Sequence, residues 1–230
     1  MLFYVFSTVF AILYSVVTLP IIPFIPISLR IYICVVGIRV LLFFCRVFDG
    51  ITYEIIGREN MPEGPFIVAS AHQSPLETLV FTAELRGVVF ILKKELRLLP
   101  IIGIFMMSIG MIFIDRNKKV SALRKIVREC MVKSKEKRTI VIFPEGTTRN
   151  RSQRDWKYHE GVAMIYEKLQ IPVVPVALNT GLYWPPGIFS LSKKRGKATL
   201  KILPPIAPGM SKEKFMESLK LSISEGSKCL

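Results

Sequence analysis

The chain has 230 residues, enough for one substantial core but short of what two large domains need. Its 32 Lys and Arg outnumber 17 Asp and Glu, a net charge of +15, so an anionic partner is expected: nucleic acid, an acidic membrane surface or a phosphorylated substrate. A hydrophobic fraction of 51% argues against a nucleic-acid arm and for lipid.

Residues 1–29, MLFYVFSTVFAILYSVVTLPIIPFIPISL, hold no charged side chain. A spanning helix needs ~20 apolar residues, so this segment is long enough to cross a bilayer or lie deep in it. A cleaved signal peptide is the alternative, disfavoured by the missing basic start and small-residue cleavage site. Pro20, Pro23 and Pro26 break the run, and IYICVVGIRVLLFFC follows, with Arg30, Arg39 and Arg46 in or beside it. The pattern predicts two membrane-anchoring helices over residues 1–49, joined by a proline-rich turn. Arg39 and Arg46 are seven apart and share a helix face, from which they can reach phosphate headgroups. Spanning and interfacial placements both remain open.

From about residue 50 the composition changes, and the rest of the chain has 29 basic against 16 acidic groups, a surplus of 13. Short apolar runs predict strands: FIVASA, VVFILKK, GMIFIDR, TIVIFPEG, IPVVPVALN and ATLKILPP. Between them LETLVFTAELR, ELRLLPIIGIFMMSIG, NKKVSALRKIVRECMVKSKEK, WKYHEGVAMIYEKLQ and SKEKFMESLKLSISEG read as helices. The alternation predicts an α/β fold over residues 50–230, a mostly parallel mixed sheet flanked by helices. The third of these helices has nine Lys or Arg between Lys118 and Arg138, with Val120, Leu123, Val127, Cys130 and Met131 at helical spacing. An ordinary solvated face explains that charge, and attraction to anionic lipid would add to it. Cys34, Cys45, Cys130 and Cys229 lack metal-ligand spacing and there are only two histidines, so no metal site is expected. Reduced thiols facing a cytoplasm fit best.

Residues 66–78, FIVASAHQSPLET, place His72 and Glu77 five apart. On one ideal helix they would be about 140° apart, at ~100° per residue. Across a strand-to-helix junction the spacing works. His72 leaves the strand, and Ser74, Pro75 and Glu77 take the N-cap, first and third helical positions of a capping box. Glu77 then folds back toward His72. Two readings follow from these residues: a helix cap alone, or a carboxylate that orients the imidazole through Nδ1 and leaves Nε2 as a base.

Four ordered blocks bear on that choice. AHQSPLE resembles the histidine block, usually H-x-x-x-x-D, of the lysophosphatidate (1-acylglycerol-3-phosphate) acyltransferases within the glycerolipid acyltransferase superfamily. GMIFIDR, with Gly110, Phe113 and Arg116, resembles G-x-x-F-x-x-R; FPEGTTR, with Glu145, Gly146, Thr147 and Arg149, resembles F-P-E-G-T-R. IPVVPVALNTG, with Pro175, resembles the proline-containing strand that follows. The likeness covers essentially the whole chain. It departs at Glu77, where most relatives have aspartate, and at the additional Thr148, which leaves the register of Arg149 open.

The resemblance implies transfer of an acyl group from a thioester, acyl-CoA or acyl carrier protein, to the sn-2 hydroxyl of lysophosphatidate, giving phosphatidate. It implies no cofactor beyond these co-substrates; a nucleic-acid partner is disfavoured by the uncharged leader and by the lack of aromatics interleaved with the basic helix. An alcohol is a poor nucleophile at neutral pH, and a positioned base accelerates its attack by ~10²- to 10⁴-fold. Imidazole, with an ordinary pKa of ~6.5, is neutral and accepting at pH 7. His72 is the implied base and Glu77 its orienter, the carboxylate role of a triad. No G-x-S-x-G elbow occurs, so the substrate alcohol replaces a serine; Ser70 or Ser74 as a covalent carrier is the lesser alternative.

Arg116 and Arg149 are the implied phosphate ligands, since a guanidinium gives two parallel hydrogen bonds. Gly110, Phe113, Glu145, Gly146 and Thr147 are implied to line the substrate site. Pro175 is expected to shape its acyl-donor side, proline being confined to sheet edges and strand starts. His159 reads as an exposed residue at a helix start, and Trp156 and Trp184 as packing residues or interfacial anchors. The expected location is a membrane with the catalytic domain on its cytoplasmic face. A glycerol 3-phosphate or other lysophospholipid acyltransferase, or a non-catalytic lipid-binding protein, are the competing readings.

Overall fold

The structure, a computed structural model, describes residues 1–115, 119–146, 158–187, 190–228 and 230. Within them the strands β1 (Ile51–Ile56), β2 (Ile67–Ser70), β3 (Val89–Lys93), β4 (Ile112–Ile114), β5 (Ile140–Ile142), β6 (Val173–Leu178) and β7 (Gly196–Ile202) form one sheet. Their order is β1-β7-β6-β2-β5-β3-β4. From β6 to β4 every pairing is parallel; β7 returns antiparallel to β6 and pairs in parallel with β1. The expected mostly parallel mixed sheet is therefore present, with one strand more than the apolar runs indicate. That strand is β1, ITYEII, whose middle is only half-buried because it lies at the sheet edge.

The central strands are apolar without alternation because both of their faces are covered. In β2, Val68 joins one core with Leu76, Val80 and Phe81 of α3 (Pro75–Glu84). Its neighbours Ile67 and Ala69 join the opposite core, as a period of two requires. That second core is closed by Cys130 of α5 (Lys119–Lys135), Ile165 and Tyr166 of α6 (Gly161–Leu169), and Phe215 and Leu219 of α7 (Lys212–Lys228). Burial pushes the Cys130 thiol up to about 12, which suits a packing residue and not a reactive one.

Two predicted helices are shortened. ELRLLPIIGIFMMSIG is divided into a 3₁₀ turn, Lys94–Leu98, and α4 (Ile102–Ser108), since Pro100 between them cannot donate a helical hydrogen bond. The helix before Gln170 starts only at Gly161; His159, just outside it, is exposed, and Trp156 lies outside the described residues. Pro175 also differs from expectation, because β6 is an interior strand. Val173 faces Ile206 and Val176 faces Ile202, so three steps along β6 correspond to four along the returning chain. This bulge falls opposite Pro175, whose carbonyl still accepts from Leu203 N at 3.0 Å, and spares the proline a ladder donor it lacks.

Two apolar helices precede the sheet: α1 (Leu2–Thr18) and α2 (Ile27–Phe44), with the prolines in the turn between them. They pack through Phe10 on Phe44 and Tyr14 over Gly37, while Phe6 stacks on Phe48 just beyond α2. With the π-turn that extends it, the segment Ile27–Asp49 is long and apolar enough to cross a membrane. Helix α1 leaves Leu2, Val5, Val9, Leu13, Val16 and Val17 more than half exposed. Its first turn is held to the sheet domain by Lys193, whose ammonium lies 3.5 Å from the centroid of Phe3 and 3.7 Å from that of Trp184. Asp49 pairs with that ammonium at 2.6 Å.

The edge strand depends on one glycine. Gly57 ends β1 at φ +82°, and a Cβ there would collide with the carbonyl oxygen of Ile202, which accepts from Asn60 Nδ2. Gly57→Ala is expected to cost at least ~1–2 kcal/mol for the left-handed conformation alone. Thermal unfolding should show it as a fall of about 2–4 °C per kcal/mol for a chain of this size. An unchanged midpoint would contradict the strand-end geometry.

Candidate active site

Strands β6, β2 and β5 are adjacent and parallel, so their C-terminal ends open on one side, where α/β sheets bind ligands. His72 follows β2, Glu145 follows β5, and Thr180 follows β6.

The β2–α3 junction forms as the spacing predicts. Ser74 is the N-cap, extended at φ −158° and ψ 156°; its Oγ accepts from Leu76 N at 3.0 Å, and Pro75 begins the helix. Glu77 completes the capping box, with Oε1 accepting from Ser74 N at 2.7 Å and from Gln73 N at 2.8 Å. The same oxygen lies 2.8 Å from His72 Nδ1. A carboxylate oxygen already receiving two N–H groups is an acceptor, so Nδ1 donates, and the lone pair of the neutral ring is on Nε2. The cap and the orientation of the imidazole are thus functions of one oxygen.

Glu77 is fully buried, while the His72 side chain keeps 21% of its surface exposed. A buried carboxylate must have its lone pairs occupied. Here Oε2 accepts from Thr180 Oγ1 at 2.6 Å. Sequence reasoning missed this residue, which is 103 positions from Glu77. It also missed the part played by Phe143. The imidazole stacks on that ring at 4.1 Å and 17°, and Phe143 in turn stacks on Phe90 at 6.2 Å and 8°. These rings fix the plane of the imidazole, and Glu77 fixes its rotation within the plane.

Glu145, buried, reaches the same junction: its Oε2 accepts from the backbone N–H of His72 at 3.3 Å. Gly146 takes φ +69°, and a Cβ there would lie 2.9 Å from the His159 ring, so the tight turn requires glycine. Pro175 pairs with Ala69, three residues before His72. Phe113 is buried in β4 under the Arg97 guanidinium, 5.8 Å from its ring centroid. At the C-terminal ends of β3 and β4, Lys94 pairs with Asp115 at 2.7 Å, and this hydrogen bond pushes the lysine up. Gly110 precedes β4 and lies beside Lys133 and Arg138, at the opposite end of the strand from the β2–α3 junction. Arg116, Thr147 and Arg149 lie outside the described residues.

A buried carboxylate holding a partly exposed imidazole at the carboxyl edge of a parallel sheet is the equipment of a chain that moves a proton to or from a substrate atom. The comparisons define the class further. Residues 52–179, more than half of the chain, match the family described as Acyltransferase. The 1-acyl-sn-glycerol-3-phosphate acyltransferase of Pseudomonas aeruginosa is 32% identical over 188 residues, 80% of this chain and 72% of that protein. The enzyme of the same name from Saccharomyces cerevisiae is 30% identical over 174 residues, 73% of this chain and 56% of that protein. The crystal structure of the 1-acyl-sn-glycerophosphate acyltransferase PlsC from Thermotoga maritima shares the fold, with a TM-score of 0.69 at 22% identity. It is matched over 98% of this chain and 96% of its own. This chain belongs to the acyltransferase family and is an acyltransferase.

Proposed function

We propose that the chain transfers a fatty acyl group from a thioester donor to the sn-2 hydroxyl of 1-acylglycerol 3-phosphate, forming phosphatidate for phospholipid synthesis. The observation that carries this reading is the His72–Glu77 contact at 2.8 Å, set within a chain about a third identical to relatives named for that reaction.

In the proposed cycle His72 Nε2 takes the proton of the sn-2 hydroxyl as its oxygen forms a bond to the thioester carbonyl carbon. The carbonyl oxygen carries the negative charge of the tetrahedral intermediate. When the carbonyl re-forms, the C–S bond breaks, and the departing thiolate recovers the proton from the imidazolium. Glu77 holds the Nδ1–H tautomer and stabilises the positive ring between those transfers. The cycle needs no protein nucleophile and no cofactor besides acyl-CoA or acyl carrier protein. Arg116 and Arg149 are assigned the acceptor phosphate, with Phe113, Glu145, Gly146, Thr147 and Pro175 shaping the site; Gly110, at the far end of β4, keeps a turn role and does not line it.

Acceptor and product both reside in a bilayer, whereas the donor is water-soluble and anionic. Residues 1–49 are proposed to hold residues 50–230 on the cytoplasmic face of a membrane. The apolar length of Ile27–Asp49 and the exposed apolar side of α1 support this placement. The surplus of 13 positive charges after residue 49 suits acidic lipid, the phosphates of coenzyme A and the acidic surface of acyl carrier protein.

The test is an acceptor panel with purified protein and both donor types. Lysophosphatidate should give the highest kcat/KM, with phosphatidate as product. Preferred turnover of glycerol 3-phosphate or of a lysolipid without a free phosphate would overturn the assignment.

A further inference from the structure

We infer that Thr180 is a positioning residue for the catalytic pair, an inference that rests on the proposed role of His72 as base. Among the described residues Glu77 receives four donors: His72 Nδ1, Gln73 N and Ser74 N on Oε1, and the Thr180 hydroxyl on Oε2. The three on Oε1 converge on one atom and leave the carboxyl group able to pivot about it. The Thr180 bond, at 2.6 Å, fixes the second oxygen and hence the carboxyl plane. Both residues are fully buried, so water has no open route to replace the hydroxyl.

The turn that carries Thr180 is fastened on several sides. Its carbonyl accepts from Tyr183 N at 3.1 Å and Trp184 N at 3.0 Å, closing a 3₁₀ turn over Thr180–Leu182. On one flank Asn179 is locked to β7: its N donates to Thr199 O at 3.2 Å, and its Oδ1 accepts from Thr199 N at 2.7 Å. On the other, Gly181 N donates to Gln73 Oε1 at 3.3 Å, tying the turn to the residue next to His72. A Cβ on Gly181 would lie 3.0 Å from Gln73 Cβ, so the close approach suits glycine. Trp184, at the end of the turn, packs edge-on against Phe3 of α1 at 5.3 Å. A turn held this way presents a hydroxyl at one place, which is what orientation of a general base demands.

The consequence is a division of labour at Glu77. Oε1 holds the imidazole tautomer and the helix cap. Oε2, through the Thr180 hydroxyl at 2.6 Å, holds the carboxyl group in its plane. Thr180 is fully buried and reaches Glu77 from the β6 side, so its loss should act on turnover and leave acceptor binding alone.

The test compares Thr180→Val, which keeps the shape and removes the hydroxyl, with Thr180→Ser, which keeps the hydroxyl. On the acceptor the wild-type protein turns over best, Thr180→Val should lose roughly 5- to 30-fold in kcat at unchanged KM, the effect of one buried hydrogen bond. Thr180→Ser should restore most of it. A second readout does not require turnover: the proton resonance of His72 Nδ1–H, assigned in a His159→Gln background because the chain has only two histidines. It should be displaced by Thr180→Val and hold its wild-type position in Thr180→Ser. If both variants lose activity equally with a lowered unfolding midpoint, or if Thr180→Val leaves both resonance and kcat at wild-type values, the positioning role is overturned. A displaced resonance in a protein that fails on lysophosphatidate would support Thr180 and refute the substrate assignment separately.

Discussion

His72→Ala is expected to lower kcat by ~10²- to 10⁴-fold, the range that a positioned general base supplies, with the folded state retained. The ring is 21% exposed and contributes to neither main core cluster, so its removal opens no deep cavity. It does take one donor from Glu77, which keeps Gln73 N, Ser74 N and Thr180 Oγ1. The unfolding midpoint should therefore move little while turnover collapses. Acceptor KM should change far less than kcat, because the proton transfer belongs to the transition state. Circular dichroism and a steady-state assay on the same preparation check both halves. If turnover survives, a different base operates. His159, beside Gly146, would be the first alternative base to examine.

Much of this arrangement is legible in the sequence because it is local. The capping box appears as Ser74, Pro75 and Glu77 at fixed offsets, and the fold-back of Glu77 onto His72 follows from the change from strand to helix at Ser74. The central strands are visible because burial on both faces leaves an unbroken apolar run. Strand β1 is not, since an edge position lets Tyr53 and Glu54 stay half-buried and interrupts the pattern. The break at Pro100 was available in the sequence; the apolar residues around it hid it.

What sequence could not supply are contacts that only the closed sheet creates. Thr180 meets Glu77 across 103 positions, and Glu145 meets the His72 backbone across 73. Both lie in the resembling blocks, yet no spacing rule says which atom each touches. The stacking of His72 on Phe143 is of the same kind, because β2 and β5 become neighbours only through the strand order. The sequence also posed capping and orientation as rival accounts of Glu77. The fold makes them one, since Ser74 N, Gln73 N and His72 Nδ1 all end on Oε1.

That convergence makes Glu77→Gln the substitution that isolates charge. Two backbone N–H groups already point at Oε1, so the carboxamide oxygen must take that position; the opposite orientation would set the amide hydrogens against those N–H groups. With the oxygen there, the cap is preserved and His72 still donates from Nδ1, so the tautomer is unchanged. The amide nitrogen falls at the place of Oε2, where the Thr180 hydroxyl can rotate to accept from it. Shape, cap and tautomer survive, and only the negative charge facing the imidazolium is lost. Turnover should fall about 10²-fold, because a charge-assisted hydrogen bond is replaced by a neutral one just as the ring becomes positive. The unfolding midpoint should stay near that of the wild type, and kcat should carry the loss with KM little changed. Wild-type turnover in a folded Glu77→Gln protein would mean that the carboxylate serves the helix start and nothing more.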